Sequence, residues 1–250
     1  MCLIAFAVDA HPSLSLVVIA NRDERYDRPT CLAHDWGGSG IFGGRDVEKG
    51  GTWLGVTRGG RFAAVTNVRS AAARRSGASR GALVRDALTR TEPADTWWRS
   101  LDRASYPSFN LLFGDGRQLF YGSEESPAPE RITAGVHALS NARLDASWPK
   151  AEAAKSGLEA LLAAERFDVE AAFALLASRA VAPDQDLPQT GVPFELERAL
   201  SPAFIAMDGY GTRACTVVLF DRQGTIRFAE RTHGPGGVEL EAVETTRTPG

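Results

Sequence analysis

The stretch Leu14-Ser15-Leu16-Val17-Val18-Ile19-Ala20-Asn21-Arg22-Asp23-Glu24 decides how this chain folds. Residues 14–20 are apolar on both faces of a strand, and the next four are polar without exception. A strand apolar on both faces is buried on both faces. Residues 3–8, Leu-Ile-Ala-Phe-Ala-Val, have the same character, and His11-Pro12-Ser13 between the two segments supplies a turn, so they read as a hairpin. A hairpin covered on both sides belongs inside a layered sandwich rather than in a sheet facing water.

Working outward, further strands are expected over residues 53–57, 61–67, 109–114, 118–121, 136–141, 204–207, 214–221 and 225–230, with a hairpin turn at Asp115-Gly116. Helices are expected over 79–91, where Ser79 caps a stripe of Leu83, Val84 and Leu88, and over 94–104. Two more are expected over 149–165, with Pro149 in the first turn, and over 168–178, capped by Asp168. Residues 181–193 read as a loop. The glycine pairs between Trp36 and Gly60 lack the GxxxxGK[ST] and G-x-G-x-x-G spacings of phosphate and dinucleotide loops, and read as tight turns between short strands. Runs of strands and helices alternate without repeats or a linker. The expectation is one domain over residues 1–250, of α+β class, with helices covering two mainly antiparallel sheets.

The composition narrows the function classes. At 250 residues with a net charge of −3, nothing argues electrostatically for nucleic acid or an anionic membrane surface. No apolar run is long enough to cross a bilayer, and the N-terminal one lacks a basic leader and is interrupted by Asp9. Cys2, Cys31 and Cys215 are too few and too scattered for a disulfide framework or a CxxC metal site. This fits a reducing, cytoplasmic compartment. The histidines, His11, His34, His137 and His233, offer no i, i+4 pair and no HExxH, so no metal site is expected.

Two features carry chemistry. The first is Cys2. Removal of Met1 would leave a thiol and a free α-amine on one carbon, with reference pKa values of about 8.5 and about 7.7–8.0. An N-terminal amine is a known activator of the nucleophile beside it. The plain alternative is a cysteine that only begins a buried strand. The second is a set of polar residues at strand ends: Asn21 to Glu24, Asn67 with Arg69, Asn141, and Arg213. Alternation puts Asn21 and Asp23 on one face and Arg22 and Glu24 on the other. Read structurally, these residues form strand-end turns and an Arg–carboxylate pair. Read functionally, amides and guanidiniums gathered at strand ends hold an oxyanion or a substrate carboxylate. His137 lies close in sequence to Asn141.

Taken in order, Met1-Cys2-Leu3-Ile4, Asn21-Arg22-Asp23-Glu24, Gly50-Gly51-Thr52-Trp53-Leu54-Gly55-Val56, Phe62 to Arg69, Leu139-Ser140-Asn141 with Trp148-Pro149-Lys150, and Gly211-Thr212-Arg213 resemble the NRDE family, that of the transport and Golgi organization proteins. The resemblance runs from Cys2 to about Arg231. It implies an N-terminal-nucleophile (Ntn) hydrolase-like fold, a four-layer αββα sandwich, most similar to the choloylglycine hydrolase and penicillin V acylase branch. Carried over, it makes Cys2 the nucleophile, Asp23 the group orienting the amine, and Asn67 and Asn141 the amide donors. Arg22, Asn21, Arg213 and His137 would bind substrate. The acylase branch spaces its Arg and Asp as R-x-x-D, whereas Arg22 and Asp23 are adjacent here. On a regular strand only one of them can face the thiol, and Asp23 is retained ahead of Arg22.

Two functions follow from the resemblance. One is a cysteine hydrolase or transferase acting on an amide or acyl-thioester bond of a small acyl substrate, with no cofactor required. The other is a non-enzymatic carrier, taking part in haem trafficking or in acyl-CoA or lipid metabolism. There the same cleft would hold an acyl, CoA or non-covalent haem ligand, with Cys2 or a histidine on iron.

Overall fold

A computed structural model describes residues 2–248; the expected removal of Met1 concerns a residue outside them. The chain opens with β1 (Cys2–Val8) and β2 (Leu14–Arg25), followed by β3 (Thr30–Asp35), β4 (Ile41–Asp46), β5 (Leu54–Thr57) and β6 (Arg61–Asn67). Helices α1 (Arg80–Thr89) and α2 (Ala94–Ser100) precede β7 (Phe109–Asp115), β8 (Leu119–Ser123), β9 (Glu130–Arg131) and β10 (Gly135–Leu139). Helices α3 (Pro149–Leu162), α4 (Val169–Leu176) and α5 (Phe194–Ala199) lead to β11 (Ala206–Met207), β12 (Tyr210–Asp221), β13 (Ile226–His233) and β14 (Glu239–Arg247).

Among the described residues the strands make two antiparallel sheets. The first runs β10-β1-β2-β12-β13-β14, with β11 paired to β12. The second is a meander, β3 through β9 in chain order. Alternation along β1 assigns the layers. Ile4, Phe6 and Val8 join Phe42, Leu54, Phe62 and Leu112 of the second sheet in one apolar cluster between the sheets. Leu3, Ala5 and Ala7 face the other way, under Leu158 of α3 and Phe173 of α4. The outer face of the second sheet is covered by Leu83, Val84 and Leu88 of α1 and Trp98 of α2. The result is the expected α+β, four-layer αββα sandwich.

Local chemistry explains the helix starts. The Ser79 side chain accepts the Gly81 N–H at the head of α1, Asp168 accepts the Ala171 N–H at the head of α4, and Pro149 occupies the first turn of α3. The head of α1 is also pressed onto the loop before β5. A Cβ on Gly51 would meet the Gly81 backbone carbonyl carbon at 2.3 Å, so only glycine permits the approach. Several elements depart from the sequence expectation. β2 continues through the polar tetrapeptide to Arg25, β3, β4 and β9 form outside the expected strands, α5 follows the 181–193 loop, and β14 forms an edge of the first sheet. No described helix is long and apolar enough to cross a membrane.

The rings of Phe42 and Phe228 meet edge to face across the two sheets at 5.1 Å between centroids, both inside the central cluster. Phe228→Ala is expected to cost about 3–5 kcal/mol, whereas Val47→Ala on the surface stays within about 0.5 kcal/mol. Urea midpoints at unchanged slope check both; equal midpoints for the two variants would show that the sheets do not pack through this pair.

Candidate functional site

Cys2 is the first residue of β1 and pairs directly with Arg22 of β2. Paired residues share a face, and this one is the inter-sheet face of Ile4 and Ala20. Where the apolar filling stops, a cleft of about 370 Å³ opens, lined among others by Cys2, Arg22, Trp53, Asn67, Arg75 and Arg80. Arg22 is buried. Its guanidinium stacks on Trp53 at 4.4 Å, Nη1 donates to Thr30 Oγ1 at 3.2 Å, and Nη2 lies 3.9 Å from Glu24 Oε2. Burial pulls the Arg22 pKa down, opposed by the negative charges of Glu24 and of the Cys2 thiolate. Stacking on an indole while pairing weakly with a partly exposed carboxylate leaves this cation available to an anion in the cleft.

Asn21 and Asp23 point to the helical side. The Asn21 amide donates to the carbonyls of Leu176 and Ala203, each at 2.8 Å, tying the end of α4 to β2. Asp23 Oδ1 accepts from Thr212 Oγ1 at 2.7 Å, and the Tyr210 hydroxyl donates to the Asp23 carbonyl at 3.2 Å. Burial raises the Asp23 pKa. Under the same layer lies Lys150, in the first turn of α3, whose Nζ donates to the Leu200 carbonyl at 3.1 Å. Burial lowers the Lys150 pKa to about 8, and Asp23 is the main charge holding it up. On the regular β2 it is therefore Arg22, not Asp23, whose side chain shares the face of the thiol. The bulge that the adjacency invites sits on the neighbouring β12, between Thr212 and Ala214.

Asn67 and Asn141 meet. Asn141 Nδ2 donates to Asn67 O at 3.0 Å and to Asn67 Oδ1 at 3.1 Å, while the Arg69 N–H donates to the Asn141 carbonyl at 2.7 Å. The first of these bonds, to a backbone carbonyl, fixes the Asn141 amide orientation, and the second then fixes that of Asn67. Asn67 Nδ2 is left with a 3.5 Å contact to its own neighbour's carbonyl, on a residue that lines the cleft. The two amides divide the work: Asn141 positions, and Asn67 has donors to offer.

Arg213 and His137 are not brought to the thiol. Arg213, at the β12 bulge, spends its guanidinium on the carbonyls of His233, Arg25, Tyr26 and Arg28. His137 pairs with Phe6, four residues from Cys2 and so about 13 Å along the strand. Its ring nitrogens meet Asp145 Oδ2 at 2.8 Å and the Thr133 carbonyl at 3.2 Å. Among the described residues no group of three His, Cys, Asp or Glu is placed to hold a metal ion.

Other groups at the site carry weaker sequence signals. Trp53 and Lys150 stand inside quoted motifs, but nothing in the motifs reveals a stacking platform or a buried ammonium. Arg69, bridged at 3.1 Å to Glu197 and stacked on Trp148 at 4.5 Å, depends on a partner in α5 that no spacing indicates. Behind Arg22 lies buried Glu230. Its Oε1 accepts the Ala33 N–H at 2.8 Å and its Oε2 accepts Thr216 Oγ1 at 2.9 Å, so one carboxyl bridges the two sheets. Burial pushes its pKa up to about 7.

Comparison with known proteins gives a consistent relationship. The family profile described as Transport and Golgi organisation 2 matches residues 1–235. The human Transport and Golgi organization protein 2 homolog is 32% identical over 255 residues, covering 92% of each chain. The Drosophila melanogaster Transport and Golgi organization protein 2 is 26% identical over 266 residues, covering 93% of this chain and 92% of its own. Among solved structures, a Caenorhabditis elegans N-acylethanolamine-hydrolyzing acid amidase ortholog aligns at a TM-score of 0.46 and 13% identity, over 88% of this chain and 92% of that one.

The Glu230 shift has a definite sign. With a folded pKa of about 7 against an ordinary 4.5, the native state holds a proton that the unfolded chain has lost between those values. This contribution is fully present below about pH 4.5 and disappears as pH rises through 7, a loss on the order of 3 kcal/mol. Glu230→Gln, which mimics the protonated carboxyl, should lack that decline. Urea midpoints of both proteins from pH 4.5 to 8 check this, and parallel profiles would contradict it.

Proposed function

This chain belongs to the Transport and Golgi organisation 2 family, and on that premise we propose that the Cys2 cleft is the active site of an N-terminal-cysteine hydrolase or acyl transferase. Its bond is an amide or a thioester of a small acyl substrate. The observation that carries the reading is the grouping of a half-buried thiol, a stacked guanidinium on the same strand face and an amide with unspent donors around one cleft.

The steps follow from those groups. Removal of Met1 frees the Cys2 amine, which takes the thiol proton. The thiolate, formed beside Arg22, attacks the acyl carbon, and the carbonyl oxygen becomes an oxyanion that accepts from Asn67 Nδ2. Collapse breaks the C–N or C–S bond, and the leaving group departs with the proton from the amine. Water or another acceptor then attacks the thioester on Cys2 and restores the thiol. In this reading Asn141 acts through Asn67, and Asp23, which lines the cleft, sets the local charge together with Lys150. Asn21 and Arg213 hold backbone rather than substrate.

The carrier reading divides in two. Haem ligation through His137 does not fit, because both of its ring nitrogens already have oxygen partners; ligation through Cys2 would place haem in the cleft itself. An acyl ligand held without turnover would use the same cleft, and the experiment separates it.

Intact mass should show a chain beginning at Cys2. Incubation with acyl amides and acyl thioesters should give turnover that Cys2→Ala abolishes and Asn67→Ala lowers by about 100–1000-fold, while Asn141→Ala raises KM and lowers kcat together. Retained Met1, or saturable ligand binding by Cys2→Ala with no turnover by the wild type, would remove the hydrolase and leave a carrier.

A further inference from the structure

Beside the Cys2 cleft lies a second cavity of about 240 Å³, and Asn67, Arg75 and Arg80 line both. Arg69 and Arg74 bring the arginines that line it to four, and its remaining walls include Val192, Leu196 and Leu200. No carboxylate lines this cavity. Among the described residues only Arg69 of the four has an ion-pair partner, the Glu197 carboxylate behind it at 3.1 Å. The Nε and Nη1 of Arg69 are buried and meet no hydrogen-bond acceptor among the described residues.

The segment that carries these arginines is held in place by the backbone. The Arg74 N–H donates to Ser108 Oγ at 2.9 Å, and the Ser108 N–H donates to the Arg74 carbonyl at 3.0 Å. The Ala71 N–H donates to the Thr190 carbonyl at 2.9 Å, and the Arg80 Nε donates to the Ser108 carbonyl at 3.0 Å. Four cations set by such anchors around a concave space, with one counter-charge between them, concentrate anions there. Burial pulls the Arg69 and Arg80 pKa values down, as expected of cations short of compensation. Guanidinium forks match carboxylate and phosphate oxygens two at a time. The leucine and valine wall suits carbon atoms attached to that group.

We propose that this arginine-lined cavity is an anion subsite, which holds a carboxylate or phosphate at the far end of the ligand whose carbonyl lies at Cys2. The second half of that statement rests on the hydrolase reading; the anion site itself does not. It restricts the substrate class to acyl compounds bearing an oxyanionic group beyond the reacting carbonyl, in the cavity that shares Asn67 with the cleft.

The test compares iodoacetate with iodoacetamide, which share size and leaving group and differ in charge, as alkylating agents of Cys2. Peptide mass spectrometry reads Cys2 in a Cys31→Ala background. Relative to an unstructured Cys peptide, the iodoacetate-to-iodoacetamide rate ratio should rise about tenfold or more. Arg74→Ala with Arg75→Ala, both exposed, should return the ratio towards the peptide value by slowing iodoacetate more than iodoacetamide. Inorganic phosphate and glutarate should each slow the iodoacetate reaction, and whichever protects at lower concentration identifies the preferred oxyanion. Calorimetric titration of the same proteins with glutarate and phosphate reads binding without the thiol. A peptide-like ratio, a raised ratio that survives the double variant, or no saturable heat from either anion would each overturn the subsite. None of these readouts needs turnover. A raised, arginine-dependent ratio without acyl turnover sinks only the hydrolase, and turnover without anion preference sinks only the subsite.

Discussion

Both faces of β2 are buried almost to its end, and the site follows from that constraint. A buried strand gives its polar residues no route to water, so each must find its partners on the face where the two-residue alternation puts it. Leaving one unpaired costs about 1–3 kcal/mol. Asn21 Nδ2 is therefore bonded under the helices, to the carbonyls of Leu176 and Ala203, and Asp23 Oδ1 to Thr212 of β12, while Asn21 Oδ1 stays buried with no hydrogen-bond partner among the described residues. Arg22 is held between the sheets, by Trp53 and Thr30. The four-residue motif divides its side chains between two layers, and Arg22, Asp23 and Glu24 all reach the lining of the cleft. The thiol and Arg22 share a face because antiparallel pairing gives Cys2 and Arg22 the same register position.

The fold was legible where burial imposes a simple pattern. Strands apolar on both faces can only lie in the middle of a sandwich, and Ser79, Pro149 and Asp168 mark helix starts by the chemistry of their side chains. β14 was not legible: most of its residues are exposed, and its glutamates are interspersed with Leu240, Ala242 and Val243 without a buried face to mark a strand. Nor was α5, a six-residue helix after proline that is held by Glu197 rather than by an apolar stripe. At the site the sequence identifies residue types and alternation, which suggest a grouping of Cys2 with Asn67 and Asn141, but they favour Asp23 over Arg22 for the face of the thiol, where the strand pairing puts Arg22. The sequence cannot tell an arginine that faces a cleft from one that clasps carbonyls, which separates Arg22 from Arg213. Lys150 and Arg69 stayed hidden for a related reason, since their partners are brought to them only by tertiary packing.

Charge takes over the packing where the apolar clusters end. Lys150 binds the Leu200 carbonyl, Arg69 binds Glu197, and Glu197 Oε1 also accepts from the N–H and hydroxyl of Thr190. These bonds fasten the 190–200 segment against the ends of β6 and α3. Such an arrangement is costly to desolvate, and removing one partner of a buried pair typically costs about 3–5 kcal/mol. Apolar side chains of similar volume would fasten the segment at least as well. The charged fastening instead leaves Val192, Leu196 and Leu200 of the segment to line the second cavity together with Asn67 and the arginines.

The Cys2 thiol and the Asn67 amide come from different sheets, so their separation depends on how the sheets are joined at this end. The join is the two-residue tail of β10. The Ser140 hydroxyl donates to the Cys2 carbonyl at 3.2 Å, the Thr66 hydroxyl donates to the Ser140 carbonyl at 2.6 Å, and Asn141 clasps both oxygens of Asn67. Asn110 extends the chain, donating to Thr66 Oγ1 and to the Ala142 carbonyl while accepting from the Tyr121 hydroxyl. Every link is 3.2 Å or shorter and all are at least partly buried, so sliding one sheet over the other would break several bonds at once. Apolar packing between sheets resists separation but resists sliding weakly, because one aliphatic contact replaces another. The hydrogen-bonded tail supplies the resistance to sliding. Residues 140 and 141 therefore govern the thiol-to-amide distance even though neither needs to touch a ligand.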